Sequence, residues 1–293
     1  MRQAPTDNVE AYTYYLRGRE FFYRHSKHYF HLARRMFVKA VELDPLYARA
    51  YAGIADCDSF LFLHYHIDVG IDNIMATAAK ALALDDKMAE AHASRGVALS
   101  AGGRHEEASA EFEQAIALDP NSFEAHYLYA RASVAQGNLE RAAAPFERAA
   151  QIKPDDYQSV CLLINLYRSL GRDQDTEDAA RKGINLAERE LERHPEDPRP
   201  AHLGIAALIE LGEKERAREW ISRALAIDPD DVHTLYNVAC GYTKLGDIDK
   251  AFDLLEGSLP RSVPQLKQWI KHDSDFDALR NVPRYEKILK LIG

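Results

Sequence analysis

Apolar and small positions along this chain recur at spacings of three, four and seven residues, the signature of one helical face. Ala108, Phe112 and Ala115 form one such stripe, and Ala142, Phe146 and Ala149 a second. Ala217, Ile221 and Ala224 form a third, and Ala251 and Leu255 fall in the matching places of a fourth. Each stripe ends in a charged residue and a proline or its neighbour, and a new apolar run follows. The strings VELDPLYARAYAGIA, IALDPNSFEAHYLYA, QIKPDDYQSVCLLI and LAIDPDDVHTLYNVA show the junction. Proline lacks an N–H and has a fixed φ, so it suits the exit of one helix and the start of the next. Pro120 and Pro154 stand 34 residues apart. Small residues such as Gly96 and Ala130 in the first helix of a unit allow close helix approach. Gly102, Gly103, Gly137, Gly212 and Gly246 fall in the turn before the second.

This period predicts an all-α chain of helix pairs, with stability summed over repeats and their nearest-neighbour interfaces. Seven copies fit, over 11–47, 48–88, 89–122, 123–156, 157–197, 198–231 and 232–265, after an arm of residues 1–10. With no Gly/Ser/Pro linker between them, they are expected to form one continuous domain. Three copies are longer than the rest. The first has extra residues in its turn (RHSKHYF) and the second a larger turn insertion (FLFLHYHIDVGID), with Asp86 in place of its proline. The fifth has a longer second helix (KGINLAERELERH), with Thr176 and Gly183 where alanine is usual. Ile164 and Ile205 replace a small residue in repeats five and six, so packing there is expected to be rotated. Residues 266–293 read as capping helices that bury Trp269, Phe276, Leu279, Tyr285, Ile288 and Leu289.

The tandem pattern of large residues, small residues, Gly and Pro resembles the tetratricopeptide repeat family over residues 11–265. The resemblance implies a right-handed α-α superhelix (a tetratricopeptide solenoid) of about seven helix pairs plus the cap. The opening residues Tyr12, Tyr15, Leu16, Gly18, Asp44, Pro45, Tyr47, Ala48, Tyr51, Ala52 and Ala55, with the tail DSDFDALRNVPRYEKIL, are more specific. They resemble the repeat regions that follow bacterial adenylate/guanylate cyclase, serine/threonine kinase or winged-helix regulator domains. No such catalytic domain precedes residue 11, so a free-standing relative and a fragment of a longer signalling protein both remain open.

Composition narrows the partners. Lys and Arg number 37 against 46 Asp and Glu, a formal charge of −9, which disfavours a phosphate-binding surface for nucleic acid or anionic membrane. Residues 1–88 carry 11 of each sign, so the whole excess lies in residues 89–293. Cys57, Cys161 and Cys240 make no CxxC pair and suit a reducing, cytoplasmic setting. No apolar run is long enough for a membrane helix, and the start lacks a signal pattern.

Candidate chemistry is sparse. There is no phosphate loop, HExxH, GxSxG or kinase motif, so a non-enzyme without a cofactor is expected. His105, Glu106 and Glu107 read as the acidic first turn of a helix. His25, His28 and His31, with His64 and His66 in the neighbouring turn, are the only set with metal-ligand character. Lys27, Arg34 and Arg35 add unfavourable charge, and two aromatic turns packed together are the plainer account. The three thiols read as buried structural cysteines.

The resemblance places function on the inner wall made by the first helix of each pair. Repeats one to three present Tyr12, Tyr15, Arg19, Arg49, Asp56, Glu90 and Ser94 there. Repeats four to seven present Tyr127, Arg131, Asn165, Arg168, His202, Tyr236, Asn237 and Lys244. Arg and Asn can hold a carboxylate or a peptide backbone, and Tyr adds contact area at low entropy cost. A protein or peptide partner with acidic character is therefore expected, with self-association left open. The Lys/Asn two-carboxylate clamp that some family members use for chaperone tails is absent, with Tyr15, Ala52, Ala93 and Tyr127 at one of its positions.

Overall fold

The computed structural model describes residues 6–24, 27–65, 67, 69–262, 266–267, 270–271 and 273–293, with side chains at all of these except 63–65. Among them there is no strand. Fourteen α-helices follow one another along the chain. They are α1 (Val9–Phe22) with α2 (Lys27–Leu43), α3 (Ala48–Tyr65) with α4 (Ile71–Leu84), and α5 (Ala89–Ala101) with α6 (His105–Leu118). Next come α7 (Phe123–Ala135) and α8 (Leu139–Ile152), then α9 (Tyr157–Ser169) with α10 (Asp173–Arg193), α11 (Pro198–Glu210) with α12 (Lys214–Ile227), and α13 (Val232–Leu245) with α14 (Ile248–Ser258). A 3₁₀ turn (Ser274–Phe276), α15 (Asp277–Arg280) and α16 (Tyr285–Ile292) close the chain.

Contacts divide the chain into two compact units, Met1–Ala132 and Ser133–Gly293. In the first, each helix packs on the next from α1 to α6, and α1, α3 and α5 also pack side by side. In the second, α9, α11 and α13 line up in the same way, with α10, α12 and α14 as their partners. The odd-numbered helices thus form one layer in each unit, called here its inner wall.

Local chemistry sets the boundaries. Asp156, Asp231 and Asn138 accept the backbone N–H of Ser159 (2.8 Å), Thr234 (2.7 Å) and Arg141 (3.1 Å), satisfying donors that the first helical turn leaves unpaired. Asp197 does the same for Arg199, with Pro198 as the first residue of α11. Gly246 ends α13 with φ +82°, a conformation that favours residues without a Cβ.

The core explains why small and aromatic residues alternate. The Phe37 ring, fully buried on α2, lies where Cβ atoms on Gly18 of α1 and Gly53 of α3 would come within 2.5 and 2.8 Å of it. Gly96 makes the same allowance for Phe112, at 3.0 Å. In the sixth pair the allowance moves by one residue. Gly204, not position 205, faces the second helix, and a Cβ there would lie 2.4 Å from the Trp220 ring. Ile205 instead contacts the Gly241 position of α13, 2.7 Å from where its Cβ would be. In the fifth pair, Gly183 accommodates Cys161 and Ile164, at 3.2 and 3.4 Å from its virtual Cβ. The bulky Ile164 on one helix is thus matched by a glycine on the other.

Three expectations are corrected. The extra residues of the first repeat enter α2, which begins at Lys27, because Phe30, Ala33, Phe37 and Ala40 continue one buried stripe. The first half of the second insertion string, FLFLHY, extends α3 to Tyr65, with Phe60 and Leu61 buried. Leu289 is 45% exposed, because Tyr285, Ile288 and Ile292 hold the inward face of α16. Trp269 lies outside the described residues.

Candidate interaction surface

The inner wall of the first unit is closed by its own side chains. Arg19 of α1 forms an ion pair with Glu124 of α7 (3.7 Å), both largely buried. Its guanidinium also donates to the Tyr23 hydroxyl and lies 4.7 Å from that ring's centre. Ser94 of α5 donates to Asp56 of α3, whose carboxyl is fully buried. Burial pushes the Asp56 carboxyl well above the usual range. Glu124 and Glu90 add to that, against the pull of the Ser94 hydroxyl and Arg19. Tyr127, predicted to contact a partner, stacks on Phe60 and Phe123 (6.1 and 5.5 Å between ring centres) and is 1% exposed. Arg131 is half-buried on the same helix.

The second unit holds the other six predicted residues. Lys244 of α13 donates to Asp275 Oδ1 (2.9 Å) and to Asn165 Oδ1 of α9 (3.2 Å). The Tyr236 hydroxyl, one turn or more along α13, donates to Asp273 Oδ2. The other Asp273 oxygen accepts the Asp275 backbone N–H (2.9 Å), which orients the turn. Tyr236 also meets Phe276 edge to face, with ring centres 5.6 Å apart. Tyr236 and Lys244 thus converge on a short acidic segment of the chain itself, and Asn165 joins them through Lys244. The other three do not join them. Arg168 is exposed and pairs with Glu210. The Asn237 amide donates to the carbonyl of His233 in its own helix (2.9 Å). His202 is buried on α11, with neither ring nitrogen in a hydrogen bond. Burial, helped by Arg199, pushes its imidazole down to about 3, so it is neutral.

Asp273 and Asp275 had not been singled out from the sequence. The available signal is the i, i+2 acidic spacing in DSDFD. Burial, then the neighbouring Asp275, push the Asp273 carboxyl up to about 6, against the Tyr236 hydrogen bond and Lys244. Cys240 brings its sulfur within 4.8 Å of a carboxylate oxygen of each, the one metal-like grouping among the described residues. Burial and both carboxylates hold its thiol far above the usual range, and the Lys244 ammonium already supplies a cation there. Cys57 and Cys161 are buried, and burial raises both thiols.

Of the histidines considered for metal, His28 and His31 are exposed on α2. Burial and the charges of Lys27 and Arg34 lower the His31 imidazole. His25 and His66 and the side chain of His64 lie outside what the structure describes.

No helix among the described residues is long and apolar enough to cross a membrane. No curated protein sequence is similar enough to count as a relative. Among solved structures, the chain is similar to the Cut9–Hcn1 hetero-tetramer of the APC/C, with a TM-score of 0.67 and 15% identity, over 97% of this chain and 56% of that one. It is also similar to yeast Tom70 (TM-score 0.53, 17% identity, 98% of this chain and 61% of that). A third likeness is the human IFIT1 dimer with PPP-AAAA (TM-score 0.57, 16% identity, 89% and 68%). The chain thus spans less than two thirds of the length of the first two, and at these identities the likeness concerns the fold. Family models described as tetratricopeptide repeat match residues 94–157 and 202–231. Over these residues the chain carries tetratricopeptide repeats, within an all-α fold of consecutive helix pairs.

Proposed function

We propose that this protein is a non-catalytic interaction scaffold that takes an acidic protein segment on the inner wall of its second unit. The repeat fold supports a protein-binding role in general. The observation that carries the finer reading is the Asp275 carboxylate held by Lys244, which Asn165 also engages. The Lys244 ammonium thus holds a carboxylate from a segment outside its own helix. Arg168 and Asn237 lie on the same helices, α9 and α13, and Arg168 is exposed. A guanidinium forks onto a carboxylate with two parallel hydrogen bonds, which suits an acidic side chain or a chain terminus. The overall charge of −9 argues against a phosphate backbone as the partner.

The test is a titration of the full chain with labelled peptides graded in Asp and Glu content, read by fluorescence anisotropy. Acidic members should bind with Kd on the order of 10 μM. Arg168→Ala with Asn237→Ala should weaken that binding at least fivefold with little change in melting temperature. Unchanged affinity in the double variant would refute the inner-wall assignment.

A second reading, self-association, has one observation in its favour. Val9 and Leu16, seven residues apart on α1, are 79% and 49% exposed, and nearby Leu46 is 73% exposed. Light scattering after size exclusion distinguishes it: a dimer that Leu16→Glu dissociates supports self-association, and a monomer removes it.

A further inference from the structure

We propose that residues 273–275 act as a built-in acidic ligand, filling the seat formed by Asn165, Tyr236 and Lys244 until a partner segment displaces them. The inference rests on the acidic-segment reading above and adds to it the identity of the seat, its present occupant and the pattern that competes for it.

The seat draws on two repeats. Tyr236 and Lys244 of α13 meet the occupant, and Asn165 of α9 positions the Lys244 ammonium by accepting from it (3.2 Å). The occupant presents two acceptors two residues apart, with Ser274 between them exposed to solvent. Asp275 meets the ammonium of Lys244, and Asp273 meets the phenol of Tyr236. The same segment continues into Phe276 and Leu279, both fully buried in the C-terminal core with Phe252 and Ile288. Polar and apolar halves therefore do different jobs: the apolar half anchors the segment and the polar half fills the seat.

The charges in the seat do not balance. Two carboxylates share one ammonium, and Tyr236 supplies only a neutral donor. The upward displacement of the Asp273 carboxyl, to about 6, reflects that imbalance as well as burial. At neutral pH the second carboxylate is thus held against its preference. The seat is better matched to a ligand with one carboxylate at Lys244 and a neutral acceptor two residues earlier at Tyr236. The competing pattern is therefore Asn-x-Asp, Ser-x-Asp or their Glu equivalents, which the chain's own Asp-x-Asp resembles but does not equal. An occupant tethered to the seat needs no high affinity, because its effective concentration is high. A free partner must overcome that advantage, which makes the segment a threshold on binding.

The test uses the full chain and a labelled peptide with the sequence of residues 272–280, read by anisotropy. Asp273→Asn with Asp275→Asn should bind this peptide at least tenfold more tightly than the unaltered protein does. Adding Lys244→Ala to that variant should abolish the gain. A peptide with Asn in place of its first Asp should bind the variant more tightly than the parent peptide. Equal affinity in the unaltered protein and the variant would overturn the proposal. If that equal binding still depends on Lys244 or Arg168, the acidic-scaffold reading survives. If no acidic peptide binds either protein, both readings fall. Should the variant melt early by circular dichroism, amide exchange on the unaltered protein decides. Excess peptide should accelerate exchange at residues 273–276, and unchanged exchange at saturating peptide would refute displacement.

Discussion

The Lys244 ammonium lies 2.9 Å from the Asp275 carboxylate, with both side chains less than one fifth exposed. Asp273 sits beside this pair, and the Arg280 guanidinium donates to the Asp273 backbone carbonyl (3.0 Å). Removing either member of such a half-buried pair has unequal consequences, because an unpaired buried charge costs more than a lost pair contributes. Lys244→Met should destabilise the protein by about 2 kcal/mol in urea unfolding. Asp275→Asn should cost less, and the double variant should recover part of the Lys244→Met loss. Strict additivity of the two changes would show that the pair is not coupled.

His202 makes an independent prediction. Its imidazole is pushed down to about 3, below the ordinary value of 6.5, so the unfolded chain takes up the proton first. Stability therefore falls as pH drops below about 6.5 and continues to fall until the folded imidazole titrates near 3. Because neither ring nitrogen has a partner, His202→Leu should change stability by roughly 1 kcal/mol or less at pH 7.5. At pH 5 the same variant should be clearly more stable than the parent, by melting temperature. An equal effect at both pH values would contradict the neutral, buried imidazole.

Asp273 shifts in the opposite sense. Its folded value of about 6 lies above its ordinary value of 3.8. The stability it contributes is fully present below about 3.8 and is lost as pH rises through 6. It therefore opposes His202 in the same window, and the parent profile alone shows only their sum. Asp273→Asn isolates the contribution: relative to the parent, the variant should gain stability between pH 5 and pH 7.5. A difference that is flat across this range would contradict the raised carboxyl.

Glycine positions test the helix packing. Gly204→Ala would place a Cβ 2.4 Å from the Trp220 ring, so the helices or the indole must shift. A cost of about 1–3 kcal/mol is expected, partly relieved by Trp220→Leu. Ala at Gly137, which has nothing within 4 Å of its virtual Cβ but has φ +74°, should cost through backbone strain alone, with no rescue by neighbouring side chains.

These cases show where the fold could be read from the chain. The Gly96–Phe112 approach follows a local rule, because a small residue and an aromatic recur at fixed spacing within one repeat. Gly204 and Trp220 obey the same physics one residue out of register, so a strict pattern sees Ile205 as a defect where the structure has moved the contact. The candidate site was less accessible. Asn165, Tyr236 and Lys244 could be placed on the inner wall by position in the repeat. What fills the wall could not, since Tyr236 meets Asp273 across 37 residues and Lys244 meets Asn165 across 79. Nor did the repeat spacing foretell that Tyr127 would be enclosed, because Phe123 stacks on it from one turn earlier on α7 while Phe60 comes from α3, two repeats before.

The most direct test of the account compares two peptides on the unaltered full chain by isothermal titration calorimetry. One is rich in Asp and Glu, and the other has the same length with each acidic residue replaced by Lys. The account predicts saturable one-site binding of the acidic peptide, weakened as salt is raised, and none of the basic one. Binding of the basic peptide alone, or equal binding of both, would contradict it.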